Sequence, residues 1–309
     1  MSDAGRSDGN GRQRVDVSGC AERPIVFACN GLRLVGIVAV PAQPIRRGVV
    51  IVVGGPQYRA GSHRQFTLLC RHLAEQGVAS LRFDYHGLGD SEGPPALGVD
   101  GLADDLRCAI DALMSEVPEL DEVVLWGLCG AASAAALYVP DDARVVGVVM
   151  LNPNVGGEDA TAAAQLRFYY LDRFLNPAFW RRLLRGEVQV FASLRDLWQS
   201  VRKAAGARPV APQRADAMVD DAPPTRPLGE RVLDALGRAP GVRLLLILSG
   251  NDLTAQAFLQ LASSSRAWRR LMASRRLTYH HLAEANHTFA TAEWRRQVEQ
   301  WTVDWVKGR

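Results

Sequence analysis

The 309-residue sequence has no apolar run long enough to cross a bilayer. Its longest runs, residues 48–55 and 145–151, fall far short of the roughly 20 residues a spanning helix needs, and they read as buried strands. An excess of either charge is also missing. The net charge of +3 supplies no field that calls for nucleic acid or an anionic membrane. Cysteine is sparse: Cys20, Cys29, Cys70, Cys108 and Cys129 are scattered without a C-x-x-C pair. An odd set so dispersed argues against a disulfide framework and against a zinc site. Residues 1–22, rich in Gly, Ser, Asp and Arg, lack the apolar stretch of a secretory signal, so they read as a disordered leader on a cytoplasmic protein. No G-x-x-x-x-G-K-[ST] motif follows the glycines, and neither a metal nor another cofactor is expected.

What is present is ample apolar material, 48% of the chain, for one sizeable core. From Pro24 onward, short β-rich runs alternate with helical ones. Segments 25–29 and 32–40 flank Asn30-Gly31, a strong hairpin dipeptide. Segment 48–53 is almost continuously β-branched, as befits a central strand covered on both faces. Phe66, Leu69, Cys70 and Leu73 then recur at the spacing of one helix face. Further strands are expected at 78–83, 122–126, 145–151, 242–248 and 277–282, with helices between them. Cys70 and Cys108 fall on apolar faces of helices. This alternation implies an α/β architecture, a mostly parallel sheet with right-handed crossovers flanked by helices. The core is assigned to 23–153 and 227–309. Between them, 154–226 breaks the rhythm: it is helical, aromatic and basic, then rich in Pro and Ala. It reads as a helical lid inserted after the sixth strand. Its excess of Arg is either a solvated face or a receptor for an anionic carrier.

Three sites fall at carboxyl ends of strands, where an open α/β sheet places its ligands. In Gly127-Leu128-Cys129-Gly130-Ala131 a strand turns directly into a helix. The pattern matches the nucleophile elbow G-x-S-x-G, with Cys for Ser and Ala for the last Gly. A thiol there meets the positive end of a helix, which favours thiolate. Alone, the motif is equally compatible with a small apolar cysteine at a strand end. Asp252 follows the strand at 242–248, where an orienting acid belongs, and His287 follows the last strand, where a general base belongs. Separately, these two suit a helix cap and a loop histidine. Together, the order Cys129, Asp252, His287 is the order this fold requires. Two backbone N–H groups would hold an oxyanion: that of Gly130, and that of Gly55 in Gly54-Gly55-Pro56, since Pro56 has none. A plain Gly-Pro turn also accounts for the latter. His280 and His281 lie within a strand, His72 on a helix, and His63 and His86 in loops; all five read as structural, with a place at the rim of the pocket open to His63 and His86 alone.

Asp84-Tyr85-His86-Gly87-Leu88-Gly89-Asp90-Ser91 is similar to the D-x-R-G-x-G-x-S turn of many α/β-hydrolases, with His86 in place of Arg. Four further stretches resemble one subgroup, the first of two α/β-hydrolases associated with the exosortase A system: Gly54 to Arg59 with Gly61 to Arg64, Trp126 to Cys129 with Ala131 to Ser133, Leu166 to Leu171 with Phe179-Trp180, and Gly250 to Ala255. The resemblance runs from about Pro24 to the C-terminus. It implies a bacterial setting of exopolysaccharide synthesis and surface-protein sorting, and it names no substrate. At position 130 the subgroup pattern leads one to expect an acidic residue, whereas this chain has Gly.

The chemistry these residues support is hydrolysis of an ester or thioester through a thioacyl-enzyme on Cys129. The substrate is then a small acyl compound, free or carrier-bound. An acyltransferase with the same nucleophile is the nearest alternative. An inactive hydrolase-fold binding protein is the other, against which an intact Asp252 and His287 argue.

Overall fold

The computed structural model describes residues 15–17, 20–54, 57–96, 98–155 and 226–308. The expected lid, 154–226, therefore lies almost wholly outside the described residues, as does Gly55. Nine strands form one sheet in the order β1-β2-β3-β5-β4-β6-β7-β8-β9. They are β1 (Val15–Val17), β2 (Cys20–Cys29), β3 (Leu32–Pro41), β4 (Arg47–Val52), β5 (Ser80–Asp84), β6 (Glu122–Leu128), β7 (Val145–Leu151), β8 (Arg243–Asn251) and β9 (Leu277–Asn286). The first three run antiparallel along one edge, and β5, β4, β6, β7, β8 and β9 are mutually parallel. Among the described residues no helix is long and apolar enough to cross a membrane.

The helices are α1 (Gln65–Glu75), α2 (Ala103–Glu116), α3 (Gly130–Tyr138), α4 (Leu228–Arg238), α5 (Leu253–Ser264), α6 (Arg266–Met272) and α7 (Ala292–Lys307). They cover the sheet on both sides, which is why β4, β6, β7 and β8 are apolar almost throughout. On one face Leu106, Ile110, Ala135, Val232 and Phe258 pack with Val50, Leu125 and Leu246. On the other, Phe66 of α1 meets Trp126 of β6 edge-to-face at 5.7 Å, and Val298 and Trp305 of α7 close the layer. The outermost strand, β9, is mostly exposed along its length.

Two expectations are revised by the fold. Part of the stretch read as a leader is ordered: Val15–Val17 pairs with β2, and Glu22 accepts hydrogen bonds from Arg71 and Arg82, each at 2.7 Å. Burial alone would raise the Glu22 carboxyl, but these two guanidinium partners outweigh it and hold the pKa below its ordinary value. The second revision concerns the cysteines. Cys29, at the end of β2, and Cys108, on α2, are joined in a disulfide with their Cα atoms 5.7 Å apart. Their sequence separation of 79 residues hid the pair, because only the packing of α2 over the hairpin brings them together. Closing a loop of that length stabilises the fold by about 4 kcal/mol in chain-entropy terms. Reduction is thus expected to lower the melting temperature, and the denatured protein should titrate two further thiols after reductant is added. An unchanged thiol count would rule out the pair.

Candidate active site

The parallel register brings the carboxyl ends of β6, β7, β8 and β9 side by side. Cys129 directly follows β6 as the N-cap of α3, at φ 59° and ψ −123°. A non-glycine residue held at positive φ costs on the order of 1–3 kcal/mol and persists only where neighbours fix it. Here the Cys129 N–H donates to the Leu151 carbonyl at 2.9 Å, and the Cys129 carbonyl accepts from the N–H groups of Ala132 and Asn154 at 3.1 and 3.2 Å. Two of the neighbouring glycines are a steric necessity. A Cβ on Gly127 would lie 2.5 Å from the carbonyl carbon of Ala131, and one on Gly54 would lie 2.8 Å from the Leu128 oxygen. At Gly130 a Cβ would find Val99 Cγ1 at 3.6 Å, an ordinary contact. The absence of an acidic side chain there thus changes the charge near the thiol without relieving any crowding. The Gly130 N–H, in the first turn of α3, is one of those without a partner inside the helix.

Asp252 and His287 come to the same place. Asp252 is the N-cap of α5, and its two oxygens divide the work: Oδ2 accepts from the Ala255 N–H at 2.9 Å, while Oδ1 bonds His287 Nδ1 at 2.9 Å. The cap of α5 and the carboxylate bonded to His287 are thus one residue. The imidazole is also close enough to Cys129 for the thiol to influence its protonation. With Nδ1 committed to Asp252, Nε2 is the nitrogen left for the thiol. The turn that carries His287 is fixed by Asn286, whose side chain accepts from the Ala290 N–H at 3.1 Å, and by the buried Phe289.

The other loops support the site from behind. Asp84, fully buried at the end of β5, accepts from the Arg59 N–H at 2.6 Å, from the Arg59 guanidinium, and from the Asp90 N–H at 3.1 Å. It thereby ties the loop after β4 to the turn at 84–91. His86 Nδ1 bonds the buried Asp105 on α2 at 2.6 Å. His280 lies in β9 and stacks on Trp301 at 4.1 Å, and His72 is on α1.

A family model, Hydrolase_4, described as serine aminopeptidase, S33, matches residues 44–289, about four-fifths of the chain. The chain belongs to this hydrolase family. Solved structures that resemble this α/β-hydrolase include the esterase Pf2001 of Pyrococcus furiosus, 14% identical over 92% of this chain and 91% of that one, with a TM-score of 0.59. Another is ATU1826 of Agrobacterium tumefaciens, a putative alpha/beta hydrolase, 15% identical over 93% and 97%, with a TM-score of 0.56. A third is the alpha/beta hydrolase GrgF of a Penicillium species, 16% identical over 93% and 98%, with a TM-score of 0.58. At such identities the likeness concerns the fold alone. No curated protein matches the sequence. The family description names a serine, whereas the elbow of this hydrolase holds a cysteine.

The electrostatics of this hydrolase's site centre on His287. Its hydrogen bond to Asp252 first, and the nearby Cys129 thiol second, outweigh the opposing effect of burial and raise its pKa to about 10. Because the folded value lies above the ordinary 6.5, the contribution of the imidazolium to stability is complete below pH 6.5 and is lost as pH rises through about 10. An NMR titration is expected to show His287 still doubly protonated at pH 8, with a lower midpoint in Cys129→Ala. A wild-type midpoint near 6.5 would contradict the coupling.

Proposed function

We propose that this α/β-hydrolase cleaves carboxylic esters or thioesters, with Cys129 as nucleophile, His287 as general base and acid, and Asp252 orienting the imidazole. The observation that carries this reading is the imidazole bonded to Asp252 at 2.9 Å and close enough to Cys129 for the thiol to raise its pKa, with Cys129 at a strained strand-to-helix turn. The thiolate adds to the acyl carbon, and the carbonyl electron pair moves onto oxygen. The N–H groups of Gly130 and Gly55 are assigned to that oxyanion. Collapse breaks the bond to the leaving group, which takes a proton from His287 Nε2 and leaves a thioester on Cys129. Water then gives a proton to His287 and attacks the thioester, releasing the acid and the thiolate.

Transfer to an alcohol, amine or thiol is the second reading, and the cysteine itself favours it, because a thioester is attacked readily by such acceptors. The resemblance to exosortase-associated hydrolases suggests a setting of exopolysaccharide synthesis and leaves the acyl group open. Intact mass spectrometry after incubation with acyl-thioesters and p-nitrophenyl esters tests the assignment. An acyl increment on the peptide holding Cys129, decaying in water, is the expected result. An increment that persists until an acceptor is added would favour transfer. No increment, with Cys129 alkylated by iodoacetamide no faster than the buried Cys70, would leave a binding protein.

A further inference from the structure

Next to the catalytic constellation lies a fully buried side chain to which the proposed mechanism gives no role. Asn152 follows β7 directly, at φ 42°, between the strand ends that carry Cys129 and Asp252. Its side chain makes three hydrogen bonds. Oδ1 accepts from the Ser249 N–H at 2.9 Å, and Nδ2 donates to Ser249 Oγ at 2.8 Å and to the His287 carbonyl at 3.0 Å. Its own N–H donates to the Ile247 carbonyl at 3.1 Å. The residues on either side reach the other way. Leu151 accepts from the Cys129 N–H, Asn154 donates to the Cys129 carbonyl, and Ser133 Oγ donates to the Asn154 carbonyl. One four-residue turn is therefore bonded to the elbow on one side, and to the end of β8 and the His287 loop on the other.

We infer that Asn152 is a positioning residue: its amide holds the His287 loop in register with the elbow and so sets the imidazole against Cys129. The inference rests on the proposed triad and deepens it. The polarity of the partners dictates the residue type. The Ser249 N–H demands an acceptor and the His287 carbonyl demands a donor, and one short uncharged side chain offering both is an amide. The same two partners fix which way the amide points. Aspartate has nearly the same shape and keeps the acceptor for Ser249, but it has no donor for the His287 carbonyl when ionised. Alanine loses both.

The test compares Asn152→Asp and Asn152→Ala with wild type on p-nitrophenyl acetate, and follows the pH profile of iodoacetamide alkylation at Cys129. Both variants are expected to lose about 10- to 100-fold in kcat, the scale set by small misplacements of reacting groups, with KM changed less than about twofold. The rate of alkylation at neutral pH should fall in both, because a displaced imidazole activates the thiol less. A merely structural link to β8 predicts otherwise, since Asn152→Asp would then behave as wild type, and that result overturns the inference. Should the variants fail to fold, hydrogen exchange in the wild type decides: the Asn152 side-chain amide protons must be strongly protected, and fast exchange refutes the bond to His287. Failure of the triad itself looks different, since Cys129→Ala would then remain active.

Discussion

Cys129→Ala is expected to reduce the turnover of acyl esters on the order of 10⁴-fold or more, to the level a shaped, oxyanion-binding pocket retains without its nucleophile. The substitution removes one atom from a half-buried position, and alanine bears no greater penalty at φ 59° than cysteine does. The elbow's backbone bonds to Leu151, Ala132 and Asn154 involve no side-chain atom of residue 129. The fold should therefore survive, and a melting temperature within a few degrees of wild type would assign the loss to chemistry. Cys129→Ser should keep a measurable fraction of the esterase activity, since a hydroxyl beside the same base is the arrangement the family is named for. Steady-state kinetics on p-nitrophenyl acetate, with mass spectrometry for the adduct, provide the check. An alanine variant that turns over like wild type would remove Cys129 from the mechanism.

Asp252→Asn is expected to cost on the order of 10³- to 10⁴-fold in kcat/KM, the scale seen when the orienting acid of a triad becomes an amide. Asparagine caps a helix as well as aspartate does, so its oxygen can still serve the Ala255 N–H and α5 keeps its start. The amide nitrogen then faces His287 Nδ1 and donates to it. Such a donor selects the tautomer with hydrogen on Nε2, which presents a proton to Cys129 where a base is required. The bond to Asp252 is also the foremost reason the His287 pKa is raised, so the imidazolium should become easier to deprotonate in this variant. Circular dichroism and thermal melting test that the fold is kept, and kinetics test the loss. Unchanged kinetics would reduce Asp252 to a helix cap.

Much of this site was legible in the chain because its constraints are local. Gly127 and Ala131 announce a turn too tight for larger residues, and the contacts a Cβ at Gly127 would make are the physical content of that signal. The order of Cys129, Asp252 and His287 could be read because each follows a run of strand-forming residues. What could not be read depends on neighbours in the sheet. Asn152 resembles any polar residue after a strand until β8 lies beside β7 and supplies the Ser249 N–H. Cys29 and Cys108 read as apolar fillers until α2 covers the hairpin. Glu22, counted as leader, has its partners on α1 and β5, both far along the chain. The turn at 84–91 was legible only as a resemblance, and the bonds of Asp84 to Arg59 show that it ties down the loop after β4.

Cys129, Asn152, Asp252 and His287 stand at the ends of four consecutive strands of one sheet, β6 to β9. Neighbouring strands lie about 4.8 Å apart, so the four positions share a short ledge although they are distant in sequence. No piece of the chain shorter than residues 129–287 contains the full set. Competence is therefore a property of the assembled sheet, acquired only when the last strand docks beside β8. Because β9 is the outermost and most exposed of the four, the histidine is carried by the strand with the least cover. An assay of activity during gentle denaturation would thus report the detachment of that edge, ahead of any change in the interior strands that hold the thiol.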